Sequence, residues 1–375
     1  MLGLARGLLE LGCEVTVVCH DFDPSTDLSG IADHVEVRSI HTGEVRLPAN
    51  QRGVWDRLFR GMPRVAALVP DDAEVVNAHE HPAVRAGRIA ARRLKAPLVW
   101  TRNDDTMVER GLRPERTTVH PGSASSRIRH ALYGLPELRD GHAAEEIVVL
   151  DERNAELASG IYRRPARIVR SGPGARFFDP PPREEARRRL GVAAGELLVL
   201  ALGILFPHRR FEDLIEALAA LPGVRGRLVG WDGFAPQYAD MLEGLIRERH
   251  VGGRVTLERR SVDDNELRAL YAAADVFVFP NQRQTWGLAP LEALAAGTPV
   301  VLSSGAGVHE VLDGRPGVWT VPPETPMAIA AAIAQVRDTA DARLLAEATR
   351  RWIRTELNRR RYAEEMLRLF RDALG

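Results

Sequence analysis

The 375-residue chain has little cysteine, little lysine and no long apolar run. Its two cysteines, Cys13 and Cys19, bracket one predicted strand, which argues against a disulfide framework and favours a reducing cytoplasm. No apolar stretch reaches the roughly 18 residues that cross a bilayer, so we expect no transmembrane segment. Lys95 is the single lysine among 51 Lys and Arg residues, so an arginine at a basic position is not by itself a sign of function.

The chain also lacks an excess of charge and one common nucleotide-binding motif. Its formal net charge is +0 at pH 7, which argues against a nucleic-acid partner held by bulk electrostatics. No Gly-x-Gly-x-x-Gly opens a helix after the first predicted strand, which disfavours a dehydrogenase. With 45% hydrophobic and 27% charged residues, the composition is that of an ordinary globular protein, and its length predicts two domains.

Short apolar runs alternate with helix-forming segments along the chain, which predicts an α/β fold. A segment rich in glycine and proline at 171–182 is interpreted as a hinge, and residues 351–374 are predicted to form one long amphipathic helix. The predicted strands before the hinge are 13–18, 35–37, 74–77, 97–100, 146–150 and 166–169. Those after it are 197–203, 227–230, 255–257, 274–279, 298–302 and 317–321.

The first predicted element is a helix over residues 1–12, ahead of the strand at 13–18. A Rossmann-like unit ordinarily starts with a strand and a glycine loop before that helix. We therefore expect the start codon to lie upstream of Met1, with a natural truncation as the alternative.

The most informative segment is 280–293, which follows the buried strand at 274–279 and opens a helix at a glycine. The first turn of a helix has unpaired N–H groups and a partial positive charge, so this geometry suits a phosphate. The donors would be the backbone amides near Gly287, Leu288 and Ala289, and Glu292 would accept hydrogen bonds from a ribose. An ordinary strand-to-helix junction with a surface glutamate is the alternative.

The same segment resembles the signature of glycosyltransferase family 4, the retaining, nucleotide-sugar-dependent enzymes with the GT-B fold. The chain has Gly287-Leu288, Glu292-Ala293 and Ala-Ala-Gly-Thr-Pro-Val at 295–300, whereas Gln284 stands where the family has its first glutamate. The resemblance implies two Rossmann-like domains facing across a cleft. We place an acceptor-side domain at 1–175, a nucleotide-sugar-binding domain at 176–350, and at 351–375 a helix that packs back on the N-terminal domain.

The resemblance also implies roles around this segment. Glu292 matches the residue that binds the ribose, and Gln284 takes the place of a glutamate that contacts the transferred sugar. Glutamine can still bind sugar hydroxyls but carries no charge. Trp286, Gly287 and Leu288 belong to the nucleotide-sugar loop, and Arg260 lies where backbone groups of the family read the base.

A second loop, after the strand at 197–203, is expected to hold the diphosphate. The family commonly has Gly-Arg there and a lysine five positions later. This chain has Gly203-Ile204 and then Arg209, so Arg209 is the predicted diphosphate cation. Arg210 could compensate for Ile204, and a solvated helix start is the alternative for both arginines.

Polar residues follow two predicted strands of the N-terminal half. His79 and His81 point the same way in an extended segment, but no third ligand is near in sequence, so we expect no metal there. Side chains facing the cleft are favoured, on the acceptor or sugar side, with helix capping and packing as the alternatives. Asn103 stands where many family members have a histidine that contacts the sugar, and Asp104 follows it. Both are candidates for positioning sugar or acceptor hydroxyls.

The expected reaction is transfer of a hexosyl group from a UDP- or GDP-sugar to an acceptor hydroxyl with retention of configuration and without a metal or cofactor. A non-catalytic nucleotide-sugar binder and a GT-B nucleotide-sugar epimerase are the alternatives. We expect a cytoplasmic protein, either free or peripheral at the inner face of the membrane with a lipid-linked acceptor. Arginines at 85–93 would face anionic head groups in that case, and solvent otherwise.

Overall fold

The computed structural model describes residues 2–24, 26, 28, 31, 33–43, 51–103, 105–106, 109 and 124–375. The chain divides into two compact units. Unit 1 comprises Met1–Arg170 with Arg359–Gly375, and unit 2 comprises Ser171–Asn358. Both are α/β structures with parallel strands.

In the described part of unit 1 the strands form two parallel sheets, ordered β1-β2 and β3-β4-β5-β6. Strand β4 is buried along its whole length, as expected of a strand covered on both faces. The strands are β1 (Val15–Phe22), β2 (Val35–Thr42), β3 (Val76–His79), β4 (Leu98–Thr101), β5 (Glu146–Val149) and β6 (Arg167–Ile168).

The helices of unit 1 include the last one of the chain, Arg359–Leu374, which we call the C-terminal helix. It packs against the first helix at Gly7, where an added Cβ would lie 2.5 Å from the Cβ of Ala363. The other helices among the described residues are α1 (Leu2–Glu10), α2 (Gln51–Asp56), a π-helical turn (Arg57–Gly61), α3 (Met62–Ala67), α4 (Ala83–Leu94), α5 (Ala124–Gly141) and α6 (Glu152–Tyr162).

Unit 2 holds one six-stranded parallel sheet, in the order β12-β11-β10-β7-β8-β9. After β9 the chain returns to the other side of β7, so β7 and β10 form the switch point of a doubly wound sheet. The strands are β7 (Leu197–Leu202), β8 (Val224–Gly230), β9 (Val255–Arg259), β10 (Val276–Phe279), β11 (Val300–Ser303) and β12 (Val318–Val321).

The helices of unit 2 bury apolar faces against this sheet, in a core that includes Phe211, Leu214 and Ile333. They are α7 (Arg183–Arg189), α8 (Phe211–Ala219), α9 (Pro236–Glu248), α10 (Asp264–Ala273), α11 (Leu288–Ala295), α12 (His309–Leu312), α13 (Pro326–Asp338) and α14 (Ala342–Glu356). Short 3-10 turns lie at Ala175–Phe178 and Pro207–Arg209.

The prediction of one continuous helix over 351–374 was wrong. The chain leaves the helix at Leu357, which has φ −135° and ψ 68°, and α14 and the C-terminal helix belong to different units. The side-chain amide of Asn358 donates to the carbonyl oxygen of Arg354 at 2.7 Å, so it satisfies part of the end of α14. The amphipathic pattern continues across the break and therefore hid it.

Candidate active site

Three loops of unit 2 leave the sheet at the carboxyl ends of β7, β10 and β11. In doubly wound sheets, ligands bind outside these ends at the switch point. The backbone N–H of Gln282, after β10, donates to the carbonyl oxygen of His208, after β7, at 3.0 Å. The predicted diphosphate loop and the signature loop are therefore fastened together.

The signature loop is also tied to the loop after β11. Gln284 forms a parallel bridge with Ala306. Its N–H donates to the carbonyl oxygen of Gly305 at 3.0 Å, and its carbonyl oxygen accepts from the N–H of Gly307 at 2.9 Å. Asn281 donates from Nδ2 to the side-chain oxygen of Gln284 at 3.4 Å. The backbone at Gln284 is thus fixed on both sides.

Two glycines make this close approach of backbones possible. A Cβ on Gly305 would lie 2.1 Å from the carbonyl oxygen of Gln282 and 2.6 Å from that of Asn281. Gly287 has φ +120°, a conformation that side-chain-bearing residues rarely adopt, and a Cβ there would lie 3.0 Å from the ring of Phe279. Each position therefore requires glycine, one for space and the other for its backbone conformation.

Helix α11 begins at Leu288, directly after Gly287, so its first N–H groups lie beside the fastened loops. The side chain of Leu288 is exposed. The side chain of Trp286, by contrast, is buried. Its indole Nε1 donates a hydrogen bond to the carbonyl oxygen of Ser171 at 2.9 Å. The structure gives the Trp286 side chain an anchoring contact within unit 2.

Glu292 lies one turn into α11 and accepts a hydrogen bond from the hydroxyl of Tyr271 at 3.1 Å. Burial raises the pKa of the Tyr271 phenol well above its ordinary value, and the Glu292 carboxylate raises it further. The phenol therefore stays protonated and donates. Sequence reasoning missed Tyr271, although a tyrosine within the Leu-Tyr-Ala-Ala-Ala run at 270–274 could have drawn attention.

Arg209 ends the 3-10 turn after β7 and lies beside Gly203. A Cβ on Gly203 would be 4.0 Å from both Nε and Cζ of Arg209, and Gly203 has φ +151°. The guanidinium of Arg209 is thus close to the end of β7, where the resemblance places the diphosphate.

Arg210 is held by acidic neighbours. Its guanidinium donates to Asp213 at 2.9 Å and pairs with Glu212 at 2.9 Å and with Glu324 at 3.8 Å. These carboxylates already balance its charge, so the structure does not favour Arg210 as a replacement for the family arginine at Ile204.

Arg260 follows β9 and is held in the same way. Its guanidinium pairs with Glu258 at 2.7 Å and also with Glu266. The side chain is therefore engaged within unit 2, which leaves the backbone of this segment as the part that could read a base.

In unit 1, Asn103 follows β4 and its backbone N–H donates to both carboxylate oxygens of Glu80, at 3.2 and 3.3 Å. Glu80 has φ +64°, so it lies in the left-handed region. Sequence reasoning missed this fastening of the two strand ends. Asp104 lies outside the described residues.

His79 ends β3 and His81 lies two residues further on, and the two histidines have different surroundings. Nδ1 of His79 is buried with no hydrogen-bond partner among the described residues, and burial lowers the pKa of His79 to about 3. Nδ1 of His81 lies 2.9 Å from Oε2 of Glu137, which also accepts from the hydroxyl of Tyr162 at 2.8 Å. Burial alone would raise the pKa of Glu137, but hydrogen bonds from His81 and Tyr162 hold it below its ordinary value. Within the described ranges, no group of three or more His, Cys, Asp or Glu could hold a metal ion.

Several arginines of α4 are engaged with acidic residues. Arg85 and Arg88 pair with the buried Asp140 at 3.2 and 2.5 Å, and Arg93 pairs with Asp71. These contacts give the arginines a role within unit 1. None of the helices in the described part of the chain combines the length and apolar character that crossing a membrane requires.

Solved structures share this architecture. Sucrose-phosphate synthase from Thermosynechococcus elongatus superposes with a TM-score of 0.76 at 23% identity, over 98% of this chain and 91% of that one. HepE from Anabaena, solved in complex with UDP and glucose, gives 0.70 at 19% identity, over 90% and 86%. At these identities the likeness concerns the fold alone. The class of fold is GT-B.

Two family models and two curated relatives that match this chain are all described as glycosyltransferases. "Glycosyl transferases group 1" matches residues 182–362, and "Glycosyl transferase 4-like domain" matches residues 1–174. A D-inositol 3-phosphate glycosyltransferase from Thermobispora bispora is 28% identical over 90% of this chain and 80% of its own length. One from Actinosynnema mirum is 30% identical over 66% of this chain and 60% of its own length. The chain belongs to the GT-B glycosyltransferases of family 4 type, and it is a glycosyltransferase.

Proposed function

We propose that the protein transfers a hexosyl group from a nucleoside diphosphate sugar to an acceptor hydroxyl, with retention of configuration at the anomeric carbon. The observation that carries the proposal is the fastening of three loops around the N-terminus of α11, at the switch point of the unit 2 sheet. UDP is the first donor nucleotide to test and GDP the second, since HepE was solved with UDP and glucose.

The diphosphate would bind where fixed positive charge and backbone donors converge. Arg209 beside Gly203 supplies the charge, and the first N–H groups of α11 supply the donors. Both stabilise negative charge that grows as the diphosphate departs, so they favour the transition state over the ground state.

Glu292 would accept hydrogen bonds from the ribose hydroxyls, with its direction set by the Tyr271 hydroxyl. Arg260 would contribute through the backbone of its segment, because its guanidinium is already paired. The nucleotide site then lies entirely within unit 2.

The neutral side chain of Gln284 fits a mechanism without a carboxylate nucleophile at this position. The bond between the anomeric carbon and the diphosphate oxygen breaks, and the acceptor oxygen bonds to that carbon from the same face. The acceptor proton passes to a diphosphate oxygen, so the leaving group acts as the base. Gln284 would hold sugar hydroxyls, and the reaction needs no metal or cofactor.

We assign the acceptor or sugar hydroxyls to polar residues of unit 1, namely Asn103, Asp104, His79 and His81. D-Inositol 3-phosphate is the first acceptor to assay, because it appears in the names of the curated relatives. A cytoplasmic location, with or without peripheral contact to the membrane, stays a prediction.

The test is calorimetric titration of the chain with UDP and GDP in parallel. Arg209→Ala should weaken binding of the preferred nucleotide by roughly 10-fold or more, since hydrogen bonds to charged groups are worth about 1.5–3 kcal/mol. The matched control is Arg249→Ala, which removes a surface arginine paired with Glu216 at 2.7 Å and should leave affinity unchanged. Binding of neither nucleotide, or equal loss in both variants, would contradict the assigned donor site.

A further inference from the structure

Two exposed aromatic side chains lie beside each other at the carboxyl end of β8, in unit 2. Trp231 directly follows the strand and is 41% exposed, and Phe234 is 48% exposed. Their ring centroids lie 4.7 Å apart, with the ring planes at 79°. Ile204, in the neighbouring loop after β7, is exposed as well. Single exposed apolar side chains are ordinary, whereas a group of them indicates a binding surface.

The loop that carries both rings is fixed from two sides. The carbonyl oxygen of Trp231 accepts a hydrogen bond from the N–H of Leu205, in the loop after β7, at 2.8 Å. Asp232 accepts one from Nε of Arg259, at the end of β9, at 2.8 Å. Ala235 then enters the core of unit 2, directly before α9. The backbone under the two rings is therefore held in place before a ligand arrives, which lowers the entropy cost of binding.

The indole of Trp231 has one covered face. A Cβ added to Gly233 would lie 2.0 Å from Cζ2 of the indole and 2.4 Å from Cε2, so it would lie over the ring rather than beside its edge. The backbone of Gly233 thus lies against this face, and Phe234 contacts the indole nearly at right angles. Because Trp231 remains 41% exposed, the opposite face is the one left open to a flat ligand.

The aromatic pair lies between the two parts of the proposed nucleotide site. In the unit 2 sheet β8 is placed between β7 and β9, and neighbouring strands of a sheet lie about 4.8 Å apart. The proposed function puts the diphosphate beside Arg209, after β7, and the base at the segment of Arg260, after β9. A nucleotide that reaches both loops passes the end of β8, where Trp231 follows the strand.

We propose, on the basis of the proposed function, that Trp231, supported by Phe234, is the stacking surface for the base of the donor nucleotide. Every base has a π-face, so stacking on an aromatic side chain adds affinity without distinguishing one base from another. The indole therefore strengthens the binding of both UDP and GDP, and the choice between them falls to the backbone at Arg260. The transferred sugar is the other part of the donor that could lie against the indole, and the experiment separates the two.

The test is calorimetric titration with UDP, and with inorganic pyrophosphate in competition against UDP. Trp231→Ala should weaken UDP binding by roughly 10-fold, the size of effect that loss of one base–aromatic stack produces, and should leave pyrophosphate binding unchanged. Trp231→Phe keeps an aromatic face and should lose only about 3-fold. The same variants are titrated with GDP if the parent chain prefers it.

The matched control is Trp55→Ala in unit 1. Trp55 is 38% exposed and also packs on a phenylalanine, Phe59, with the ring centroids 4.8 Å apart. Its removal takes away an indole of similar exposure outside the unit in which we place the nucleotide. Both affinities should therefore stay unchanged in this variant.

Tryptophan fluorescence gives a second readout. Stacking of the base on Trp231 should quench part of the emission of the six tryptophans when UDP binds. Trp231→Phe should lose this quenching although it still binds UDP, and Trp55→Ala should keep it.

Unchanged UDP affinity in Trp231→Ala, with a parent chain that binds UDP, would overturn this assignment and leave the donor site standing. Equal losses of UDP and pyrophosphate affinity would overturn it as well, because the indole would then act through the diphosphate loop. Loss of affinity for UDP-glucose but not for UDP would assign Trp231 to the sugar and overturn the base site. If the parent chain bound neither UDP nor GDP, the proposed function itself would be contradicted, and the base site with it.

Discussion

At the scale of single residues, the pair of Tyr271 and Glu292 links the core of unit 2 to the proposed nucleotide site. The phenol of Tyr271 is buried, and its hydroxyl lies 3.1 Å from the carboxylate of Glu292. The backbone carbonyl oxygen of Tyr271 accepts a hydrogen bond from the hydroxyl of Thr298 at 2.6 Å. Turning the ring away would break the hydrogen bond that the buried hydroxyl donates to Glu292. The carboxylate of Glu292 is thereby held in one direction before any ligand arrives, which reduces the entropy cost of binding.

Tyr271→Phe should therefore weaken UDP binding by about 3- to 10-fold, because one hydrogen bond to a charged group is lost while the ring still fills its space. The measurement is the dissociation constant of Tyr271→Phe, of Glu292→Gln and of the double variant. We expect the two effects to be non-additive, since Tyr271 acts through Glu292. Lower stability with an unchanged dissociation constant would show that the hydrogen bond is only structural.

Burial lowers the pKa of His79, at the end of β3 in unit 1. Its pKa lies at about 3 in the folded protein, and its ordinary value is 6.5. Between these values the unfolded chain binds a proton that the folded chain does not. The free energy of unfolding therefore falls as pH falls from 6.5 toward 3, by at most about 1.4 kcal/mol per pH unit from this group.

His79→Gln should make the stability of unit 1 less dependent on pH across that window, because glutamine does not titrate. Urea unfolding between about pH 6.5 and pH 4.5 measures the slope for each variant. The control is His250→Asn, which replaces an exposed histidine at φ +54° with a residue that tolerates this conformation. Identical slopes for His79→Gln and the parent chain would contradict the burial argument.

At the scale of elements, the candidate site depends on loops that touch through their backbones. The loop after β10 meets the loop after β11 at Gln284 and Ala306, and the 3-10 turn after β7 meets it at Gln282. Helix α11 then starts from a fixed point. Such backbone contacts tolerate changes of side chain, but they do not tolerate a Cβ at Gly305.

Gly305→Ala should lower the free energy of unfolding of unit 2 by about 1–3 kcal/mol, the usual cost of overpacking, and should weaken UDP binding as well. The control is Gly244→Ala inside α9, where the added Cβ makes only an ordinary contact at 4.0 Å. That change should instead raise stability by about 0.5–1 kcal/mol. Thermal unfolding with and without UDP checks both. Two variants of equal stability would argue against a close contact between the loops.

At the scale of the whole molecule, the chain forms two compact units, and its last residues belong to the first of them. The C-terminal helix contributes Met366 and Phe370 to unit 1, whereas α14, only three residues earlier, belongs to unit 2. Residues 359–375 are thus remote in sequence from the unit they complete. A substitution that destabilises the C-terminal helix should therefore also destabilise α1, on which this helix packs.

Met366→Ala should destabilise unit 1 by about 2–5 kcal/mol, because the side chain is fully buried and its removal leaves a cavity. Hydrogen exchange followed by mass spectrometry should show faster exchange in α1 and little change in the strands of unit 2. Met327→Ala is the matched control, since that methionine is 67% exposed in α13. Faster exchange throughout unit 2 would show that the units do not open separately.

The sequence by itself determined the fold class, the family and the kind of enzyme, and these predictions are confirmed. Apolar runs bounded by glycine and proline identify buried strands because strand and helix periods are local properties of the chain. The strand at 274–279 and the glycine and helix start at 280–293 can be recognised for the same reason, because they are contiguous in the sequence. The roles of Arg209, Gln284 and Glu292 stay predictions, and so do those of the residues in unit 1.

Only the tertiary structure decided which candidate site residues are already paired with other residues of the protein. It buries Trp286 against Ser171, surrounds Arg210 with acidic residues that include Glu324, and sets Tyr271 behind Glu292. It also ends α14 at Leu357 within a continuous amphipathic pattern. The physical reason is the same in each case. These partners lie far apart along the chain, and a charge, an indole N–H or a helix end is satisfied by whichever group the fold brings beside it.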